Sequence, residues 1–515
     1  MTLESQQSTE DTTEQIQVDV QEQMRIRMDK HRVLAEKGLD PFVKRRFEMT
    51  HHSSDIIDQF DSLEEQTVSV AGRIMSRRGM GKVSFTDLHD RKGRIQIFTK
   101  IDAVGEEAYA IWQKLDIGDI VGVVGKVFRT RAGEISVRAE KYEILSKAMR
   151  PLPEKYHGLK DTDLRYRQRY VDLIINPEVK ETFEKRSKII SHIRRYMDSL
   201  DFIEVETPIL NPIAGGAAAR PFVTHHNTLD MDMYLRIAPE LYLKRLIVGG
   251  FERVYEIGRL FRNEGMSVKH NPEFTSIEMY QAYTDMQGMM DLAENLISDI
   301  SEKVIGTTEL EYQGVKISLK PPFQRMTMTE AVKRFAHVDF NEISTDEQAR
   351  KVATDRGLEL ASGMSRGNVL AFFFDVFCED QLVQPTFISQ YPIEVSPLSK
   401  KDPDDLRYAD RFELFIGGRE YANAYSELND PIDQRKRFED QLKMRAAGDE
   451  EANQHDEDFC LALEYGMPPT GGMGIGIDRL VMLLTDNASI RDVLLFPTMK
   501  PVPSGSQEGT DVKEK

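Results

Sequence analysis

The sequence has few cysteines, no long apolar stretch and no excess of positive charge, and each absence excludes a class of protein. Its 515 residues include two cysteines, Cys378 and Cys460, which excludes a disulfide scaffold or a cysteine-rich metal site and suits a reducing compartment. No apolar run approaches the roughly 18 residues that a transmembrane helix needs, and the polar, acidic N-terminus predicts no signal peptide. We therefore expect a cytoplasmic protein with no membrane partner.

The net charge of −18 argues against a protein that coats nucleic acid through phosphate contacts alone. The charge is unevenly distributed, however. Residues 66–150 contain 16 Lys and Arg against 10 Asp and Glu, so this segment carries +6 and the rest of the chain carries −24. The basic excess therefore marks one segment, for which nucleic-acid binding and an ordinary solvated surface both stay open at this stage.

Short runs of alternating apolar and polar residues fill that basic segment. Five such runs lie between residues 68 and 138, with glycine-rich turns between them and one helix-like stretch, 105–115, after the third run. Five strands with a helix at that point are typical of an OB-fold barrel, a scaffold that often binds oligonucleotides. We therefore expect a five-stranded OB-fold β-barrel in the N-terminal part of the chain.

Composition and periodicity also divide the whole chain into segments. The Gln/Thr/Glu-rich start has little hydrophobic content, which predicts disorder, and the next helix is expected to end before Gly38. We expect a disordered N-terminus (1–18), a helical segment (19–65), the barrel (66–149), a linker (150–165), a large domain of helices and strands (166–499) and a disordered tail (500–515).

A first candidate site segment is a hairpin between residues 251 and 280. Residues two apart share one face of a strand, so alternate polar positions of both arms are expected on one surface. These positions are Arg262, Glu264, Phe274, Ser276, Glu278 and Tyr280, with His270 on the intervening loop. Unpaired buried charges are costly, so polar groups in register with an aromatic ring favour a binding site over a hydrophobic core. A structural ion pair between Arg262 and Glu264 is the alternative.

A second hairpin is predicted around residues 417–418. Its candidate polar residues are Glu413 and Glu420 on opposite arms and Asn423, Tyr425 and Glu427 on one face of the second arm. Carboxylates brought together without cysteine or histidine suit Mg²⁺, usually shared with substrate phosphates. Glu420 has the opposite parity to Asn423, so it faces the same side only at a bulge or a strand end. An exposed charged hairpin is the alternative.

The third candidate segment is the glycine-rich run 471–476, which is neither a Walker A loop nor a Rossmann fingerprint. Its small residues allow close approach of the backbone. Arg479 falls in the first turn of the following helix, where a cation opposes the helix dipole. A phosphate partner would explain that position, and a structural salt bridge is the alternative.

These segments, in this order, resemble the signature motifs of the class II aminoacyl-tRNA synthetases of subclass IIb. The matching motifs are Phe202-Ile-Glu-Val-Glu-Thr-Pro208, then Phe261-Arg-Asn-Glu264 with His270-Asn-Pro-Glu-Phe274, then Gly474-Ile-Gly-Ile-Asp-Arg479. Over residues 20–500 the chain resembles the lysine-activating members of bacterial type, above all at 215–222, 237–244 and 425–430. One departure is Asp201, which stands where motif 1 usually has glycine.

The resemblance implies an α+β, multidomain fold, in which the OB-fold barrel binds an anticodon and the class II catalytic domain is an antiparallel sheet flanked by helices. It implies ATP-dependent activation of L-lysine, transfer of the lysyl group to the 3′ end of tRNA(Lys), a requirement for Mg²⁺, and a homodimer formed through motif 1.

The resemblance also implies a role for each matching residue. The catalytic residues would be Arg262 and Arg479. The ATP site would comprise Arg262, Glu264, His270, Phe274, Glu413 and Arg479, with Mg²⁺ held by Glu413 and Glu420. The lysine site would comprise Gly216, Glu240, Arg262, Glu278, Tyr280, Asn423, Tyr425 and Glu427. The anticodon contacts would be Arg78, Phe85, Gln96 and Glu134.

The same residues argue against three other functions. A carboxylate-rich pocket with no cation aimed at a substrate side-chain carboxylate disfavours the related aspartate enzyme. The barrel with Phe85 and Gln96 argues against a paralogue that attaches lysine to a protein. A noncatalytic nucleic-acid-binding relative would not need the joint presence of Arg262, Glu264, Glu413, Glu420 and Arg479.

Overall fold

The computed structural model describes residues 3–153, 161–361, 363–446 and 454–501. The chain divides into two compact units between residues 160 and 161. Nearly all of the tail for which we predict disorder, and the centre of the predicted linker, lie outside the described residues. Within the described residues, no helix is both long enough and apolar enough to cross a membrane.

The first unit contains a closed five-stranded barrel with strand order β1-β2-β3-β5-β4. Its elements are α1 (Leu3–Glu36), α2 (Ser53–Asp58), α3 (Phe60–Leu63), β1 (Thr67–Met80), β2 (Val83–His89), β3 (Arg94–Lys100), α4 (Ile101–Val104), α5 (Glu106–Trp112), β4 (Ile120–Arg129) and β5 (Ile135–Ser146). Strand β3 pairs with β5 in parallel, and the other barrel neighbours are antiparallel. The predicted OB-fold barrel is confirmed, with two short helices between the third and fourth strands.

The barrel closes because apolar residues alternate inward and because glycine allows one strand to bend. Ile74, Ile97, Val121 and Val137 are fully buried in its core. At Gly125 the β4–β5 register shifts, and an added Cβ there would come within 2.1 Å of the Arg138 carbonyl oxygen. A larger residue could not be accommodated at this close approach of two backbones.

The first helix is longer than the composition predicts. Helix α1 includes residues 3–18, for which we expect disorder. Low hydrophobicity is the basis of that expectation, but the segment is rich in Glu and Gln, which are good helix formers, and it contains no Gly or Pro before Gly38. Toward its C-terminus, Arg27 donates to the carbonyl oxygens of Ile117 (3.1 Å) and Ala148 (3.0 Å), which fixes the helix against the barrel.

The second unit is built on an eight-stranded sheet with strand order β14-β15-β16-β17-β18-β11-β10-β6. Its helices are α6 (Thr162–Arg167), α7 (Arg169–Ile175), α8 (Pro177–Ser199), α9 (Glu240–Val248), α10 (Met286–Ile300), α11 (Met328–Phe335), α12 (Asp346–Asp355), α13 (Arg366–Phe377), α14 (Pro431–Ala446), α15 (Glu457–Glu464) and α16 (Ile477–Leu484). Its strands are β6 (Ile203–Glu204), β7 (Leu210–Asn211), β8 (Val223–His226), β9 (Met231–Leu235), β10 (Arg253–Phe261), β11 (Glu273–Ala282), β12 (Glu309–Tyr312), β13 (Val315–Ser318), β14 (Gln324–Thr327), β15 (Thr386–Pro392), β16 (Tyr408–Ile416), β17 (Arg419–Ser426) and β18 (Thr470–Gly476).

The sheet is antiparallel except at its two edges, where β14 pairs with β15 and β10 pairs with β6 in parallel. This is the predicted antiparallel sheet flanked by helices. The departure from glycine at Asp201 is accommodated between α8 and β6, where Asp201 adopts φ +60°. Aspartate is one of the few non-glycine residues that enter this left-handed region readily, so the turn of motif 1 is preserved.

Alternation along the central strands separates an apolar face from a polar face. On β11, Ile277 and Met279 join the hydrophobic core that also contains Ile189 and Ile193 of α8. The intervening Glu278 lines a cavity on the other face of the sheet. The same alternation holds on β16, on β17 after Tyr421, and for most of β18, where Met473 belongs to both the core and the cavity lining. One face of the sheet therefore supplies stability and the other supplies the polar side chains of a site.

Candidate active site

A cavity of about 620 Å³ lies on the polar face of the sheet in the second unit. It brings together residues that are up to 274 positions apart in the sequence, from Gly216 to Ile490. The sequence-predicted residues that line it are Gly216, Glu240, Arg262, Glu264, His270, Phe274, Glu278, Tyr280, Glu413, Glu420, Asn423, Tyr425 and Arg479. Glu427, which we also predict to contact lysine, is not among the lining residues.

A β-bulge places Glu420 in the cavity. The β16–β17 register passes from Leu414–Ala422 to Phe415–Glu420, so Tyr421 is the extra residue of β17. Because a bulge shifts the side-chain alternation by one position, Glu420 faces the same side as Asn423 despite its opposite parity. The sequence predicts that Glu420 can face this side only at a bulge or a strand end. The bulge at Tyr421 gives it this orientation, and Glu413 and Glu420 both line the cavity.

Arginine and aromatic side chains meet at one end of the cavity. The Arg262 guanidinium lies 5.1 Å from the centre of the Phe274 ring. Its Nε is buried and has no hydrogen-bond partner among the described residues. A buried donor without a partner is costly, so this nitrogen is suited to an anionic group of a ligand.

Arg479 lies at the same end, where it donates to the carbonyl oxygen (2.8 Å) and the carboxylate (3.2 Å) of Glu420. Its Nη2 is 3.3 Å from Nε2 of His270. Partial burial and the neighbouring Arg479 charge lower the pKa of His270 below its usual value. The neutral ring is therefore favoured at neutral pH, where it can exchange hydrogen bonds without adding positive charge.

The two carboxylates predicted to hold Mg²⁺ have arginine partners within the chain. Glu413 accepts hydrogen bonds from Arg411 (2.5 Å) and from the Tyr391 hydroxyl (2.8 Å). Burial raises the pKa of Glu413 to about 7, and the charge of Glu420 adds to this effect. No group of three or more His, Cys, Asp or Glu suited to a metal occurs in the part of the chain that the structure describes. Two oxygen donors alone fit a cation that shares the phosphates of a substrate.

Carboxylates and phenols gather at the other end of the cavity. Glu240 accepts hydrogen bonds from the Tyr425 hydroxyl (2.7 Å) and from Nζ of Lys244 (2.5 Å). Glu278 accepts one from the Tyr280 hydroxyl (3.2 Å). Burial, together with the nearby charge of Glu240, raises the pKa of Glu278 to about 8. This end is therefore a buried acidic pocket that a cationic ligand would neutralise.

Glu427 lies beneath this pocket rather than in its wall. Its carboxylate is fully buried and forms an ion pair with Lys244. An added Cβ at Gly472 would come within 1.9 Å of its Oε1 and 2.5 Å of the Tyr280 ring, so glycine is required for this packing. In this structure the Glu427 carboxylate meets the buried ammonium of Lys244, and its contact with lysine stays a prediction.

Two important residues of the site, Lys244 and Arg411, are not predicted from the sequence. Lys244 lies one helical turn after Glu240, a spacing typical of an exposed salt bridge, but α9 is buried and Lys244 has no exposed surface. Arg411 lies two positions before Glu413, so the parity argument could have found it. It bonds Glu413 and Asn423 and lies 4.5 Å from the Tyr391 ring centre.

Of the four residues predicted to contact an anticodon, Arg78 is exposed, Phe85 and Glu134 are partly buried, and Gln96 is buried. Arg78 is the cross-strand partner of Phe85, and Phe85 is the partner of Phe98. The Phe85 and Phe98 rings are 5.1 Å apart and only partly buried. Gln96 is engaged by Ser136 (3.1 Å), and Glu134 is engaged by Arg94 (2.6 Å). Phe85 and Arg78 are thus the more available of the four.

The sequence comparisons agree with both units. Residues 68–145 match the OB-fold nucleic acid binding domain, and residues 161–500 match the family of class II tRNA synthetases (D, K and N). This chain belongs to the class II tRNA synthetases. Three similar relatives are each named lysine--tRNA ligase.

These relatives cover nearly the whole of this class II tRNA synthetase. The protein of Thermoanaerobacter pseudethanolicus is 59% identical over 94% of this chain and 97% of its own length. The protein of Moorella thermoacetica is 58% identical over 93% of this chain and 98% of its own length. The protein of Clostridium perfringens is 57% identical over 93% of this chain and 96% of its own length. The resemblance that the three motifs indicate is therefore confirmed.

The buried Glu278 of this class II tRNA synthetase predicts a pH-dependent cost in stability. Because the pKa of Glu278 is raised to about 8 in the fold, its contribution is favourable at low pH and is lost as the pH rises toward 8. We expect Glu278→Gln to remove this loss, so that the variant gains roughly 2–4 kcal/mol over the wild type between pH 5 and pH 8.5. Thermal or urea unfolding without ligands measures the difference.

The control for this prediction is Glu311→Gln, on the exposed face of β12. Its stability relative to the wild type should not change with pH. Parallel pH profiles for Glu278→Gln and the wild type would contradict the prediction.

Proposed function

We propose that this chain activates L-lysine with ATP and transfers the lysyl group to the 3′ end of tRNA(Lys). The acidic pocket of Glu240 and Glu278 carries the proposal, because it lies in one cavity with Arg262 and Arg479. A long cationic amino acid would place its ammonium among the carboxylates and its carboxylate toward Arg262. The names of the relatives support the same substrates.

The first step needs positioning more than acid–base catalysis. The carboxylate of lysine is already ionised at neutral pH, so its oxygen can attack the α-phosphorus of ATP without a general base. The bond between the α-phosphorus and the bridging oxygen breaks, and pyrophosphate leaves. Arg262 would hold the lysine carboxylate and the α-phosphate, and Arg479 would offset charge on the terminal phosphate. Phe274 and Arg479 would enclose the adenine, with Glu264 and His270 beside it.

The second step moves the lysyl group to tRNA. A terminal ribose hydroxyl of the tRNA attacks the carbonyl carbon of the lysyl-adenylate, its proton is lost, and AMP leaves. The same arginines that bind the α-phosphate would stabilise the departing AMP.

Glu413 and Glu420 would hold Mg²⁺ against the ATP phosphates. The ion would supply positive charge that offsets the charge of the pyrophosphate leaving group. The carboxylate oxygens of both residues face the cavity, and their present partners, Arg411 and Arg479, are themselves suited to phosphate oxygens.

Specificity for lysine would come from carboxylates that only an ammonium neutralises. An analogue without that charge would leave buried acidic groups unpaired, which gives strong discrimination without an editing step. Aspartate would add a further negative charge to the same pocket.

We further propose a homodimer formed through motif 1. Exposed apolar side chains are concentrated between residues 203 and 229, where an isolated chain would leave them in water. They are Ile203 (49% exposed), Ile209 (46%), Leu210 (44%), Val223 (59%) and Leu229 (62%).

Lysine-dependent exchange of pyrophosphate into ATP tests the activation step. The wild type should catalyse exchange with lysine and not with norleucine, which has the same carbon chain but lacks the side-chain ammonium. Glu278→Gln should raise the KM for lysine by about 100-fold, because a charge-assisted contact is lost. The Glu311→Gln variant should keep the wild-type KM. Absence of lysine-dependent exchange in the wild type would refute the proposed activity.

Phe85→Ala tests the anticodon surface. Loss of one base–aromatic stack should lower kcat/KM for charging tRNA by about 10- to 100-fold, with lysine-dependent exchange unchanged. Phe42→Ala is the control, since Phe42 is another exposed aromatic (53%) of the same unit. Wild-type charging by Phe85→Ala would show that the anticodon assignment is wrong.

Light scattering tests the homodimer. The wild type should have twice the chain mass of 59.1 kDa, and Val223→Asp should shift it toward the monomer. Leu406→Asp, which alters a residue of similar exposure (66%) elsewhere in the unit, should leave the mass unchanged. A wild type that stays monomeric at micromolar concentration would contradict the proposal.

A further inference from the structure

A cluster of three residues joins the three motif-bearing elements at the cavity, where Thr275 and Asp478 belong to the lining and Arg186 lies outside it. Asp478, in the first turn of α16, is only 2% exposed. One of its carboxylate oxygens accepts the Thr275 backbone N–H of β11 at 2.7 Å. The other forms an ion pair with Arg186 of α8, and Arg186 also donates to the Thr275 hydroxyl at 3.1 Å. Both oxygens of a single carboxylate are therefore committed to two different elements.

The cluster begins where the strand ladder between β11 and β18 ends. The last residue pair of that ladder is Ser276–Gly476. The next β11 residue is Thr275, whose N–H has no strand partner on β18 and is taken by the Asp478 carboxylate instead. Asp478 thus extends the connection between the two elements beyond the sheet and fixes the direction in which α16 leaves it.

Thr275 and Asp478 line the cavity, and each is also adjacent in sequence to another lining residue. Thr275 follows Phe274, and Asp478 precedes Arg479. Phe274 and Arg479 lie on facing elements, β11 and α16, and both line the cavity. A change in the Asp478–Thr275 separation would therefore shift α16, which carries Arg479, relative to β11, which carries Phe274.

We propose that Arg186 and Asp478 are positioning residues that set the gap between Phe274 and Arg479. The inference rests on the proposed function, in which the adenine occupies that gap. A stacked ring needs a separation held within a few tenths of an ångström, because the attraction between surfaces falls steeply with distance. Arg186 acts from α8, so a helix that does not line the site would set the affinity of the site for the nucleotide.

An ordinary buried ion pair would contribute only to stability. The two roles make different predictions, because loss of stability alone does not distinguish one substrate from another. A positioning role predicts weaker binding of ATP with little change for lysine, whose proposed pocket is built on Glu240, Glu278 and Tyr425 at the other end of the cavity.

The test uses Asp478→Asn and Arg186→Gln in the full chain. Asparagine can still accept the Thr275 N–H but cannot form the ion pair. The control is Asp172→Asn, which alters another fully buried carboxylate of the same unit, one that pairs with Arg169 and Arg165 and does not line the cavity. Isothermal titration calorimetry measures the Kd of Mg-ATP and of lysine for each variant, and thermal unfolding measures its stability.

We expect Asp478→Asn and Arg186→Gln to raise the Kd of ATP by about tenfold, or about 1.4 kcal/mol, with the Kd of lysine changed less than about twofold. Asp172→Asn should lower the Tm comparably and leave both Kd values near those of the wild type. An unchanged Kd for ATP, an equal loss of lysine affinity, or an equal effect of Asp172→Asn would overturn the proposal. ATP binding is measured without lysine, so its result stands even if the wild type shows no lysine-dependent exchange and the proposed activity fails.

Discussion

The charge balance of the acidic pocket depends on one buried ammonium, that of Lys244. It lies between Glu240 and Glu427 and has no exposed surface. Burial of two carboxylates and an ammonium is costly, but each ion has an opposite charge within contact distance. The remaining carboxylate, Glu278, keeps its proton more tightly than usual, with a pKa of about 8. Even with Glu278 protonated, the carboxylates of Glu240 and Glu427 exceed the single ammonium of Lys244 by one negative charge, which an incoming ammonium would offset.

The sheet makes most of the site predictable from sequence, because side chains alternate regularly along all of its site strands except at one bulge. Parity placed Glu278 and Tyr280 on one face of β11, and the cavity lies on that face. Alternation alone would point Glu420 to the opposite face of the sheet. The bulge at Tyr421 turns it to the cavity side. Bulges depend on the pairing of two strands, so a single strand's pattern indicates only that one is needed. Glu427 follows β17 in a bridge with Ser399, so alternation gives its side of the sheet but not its buried partner, Lys244.

The sequence alone does not predict which side chains from distant segments contact each other. The barrel was predictable because each of its strands carries its own alternating pattern, whereas the helix before it extends further than its composition suggests. Lys244 has the spacing of a surface pair, and only the packing of α9 against the sheet shows that it is buried. Asp478 meets Arg186 across 292 positions of sequence. Local patterns therefore identify which residues are polar and on which face, and tertiary packing decides which of them meet.

The carboxylates at the proposed nucleotide end of the cavity are paired with arginines, whereas those at the proposed lysine end depend on the Lys244 ammonium. Glu413 is paired with Arg411, and Glu420 is paired with Arg479. These pairs are partly exposed, so each is weaker than the buried contacts of Lys244. Under the proposed function, ATP phosphates would compete with Glu420 for Arg479, since a phosphate oxygen is a better partner for arginine than a solvated carboxylate. Release of Glu420 would in turn make its oxygens available to a cation. Nucleotide and metal would then each strengthen the binding of the other, as thermodynamic linkage requires.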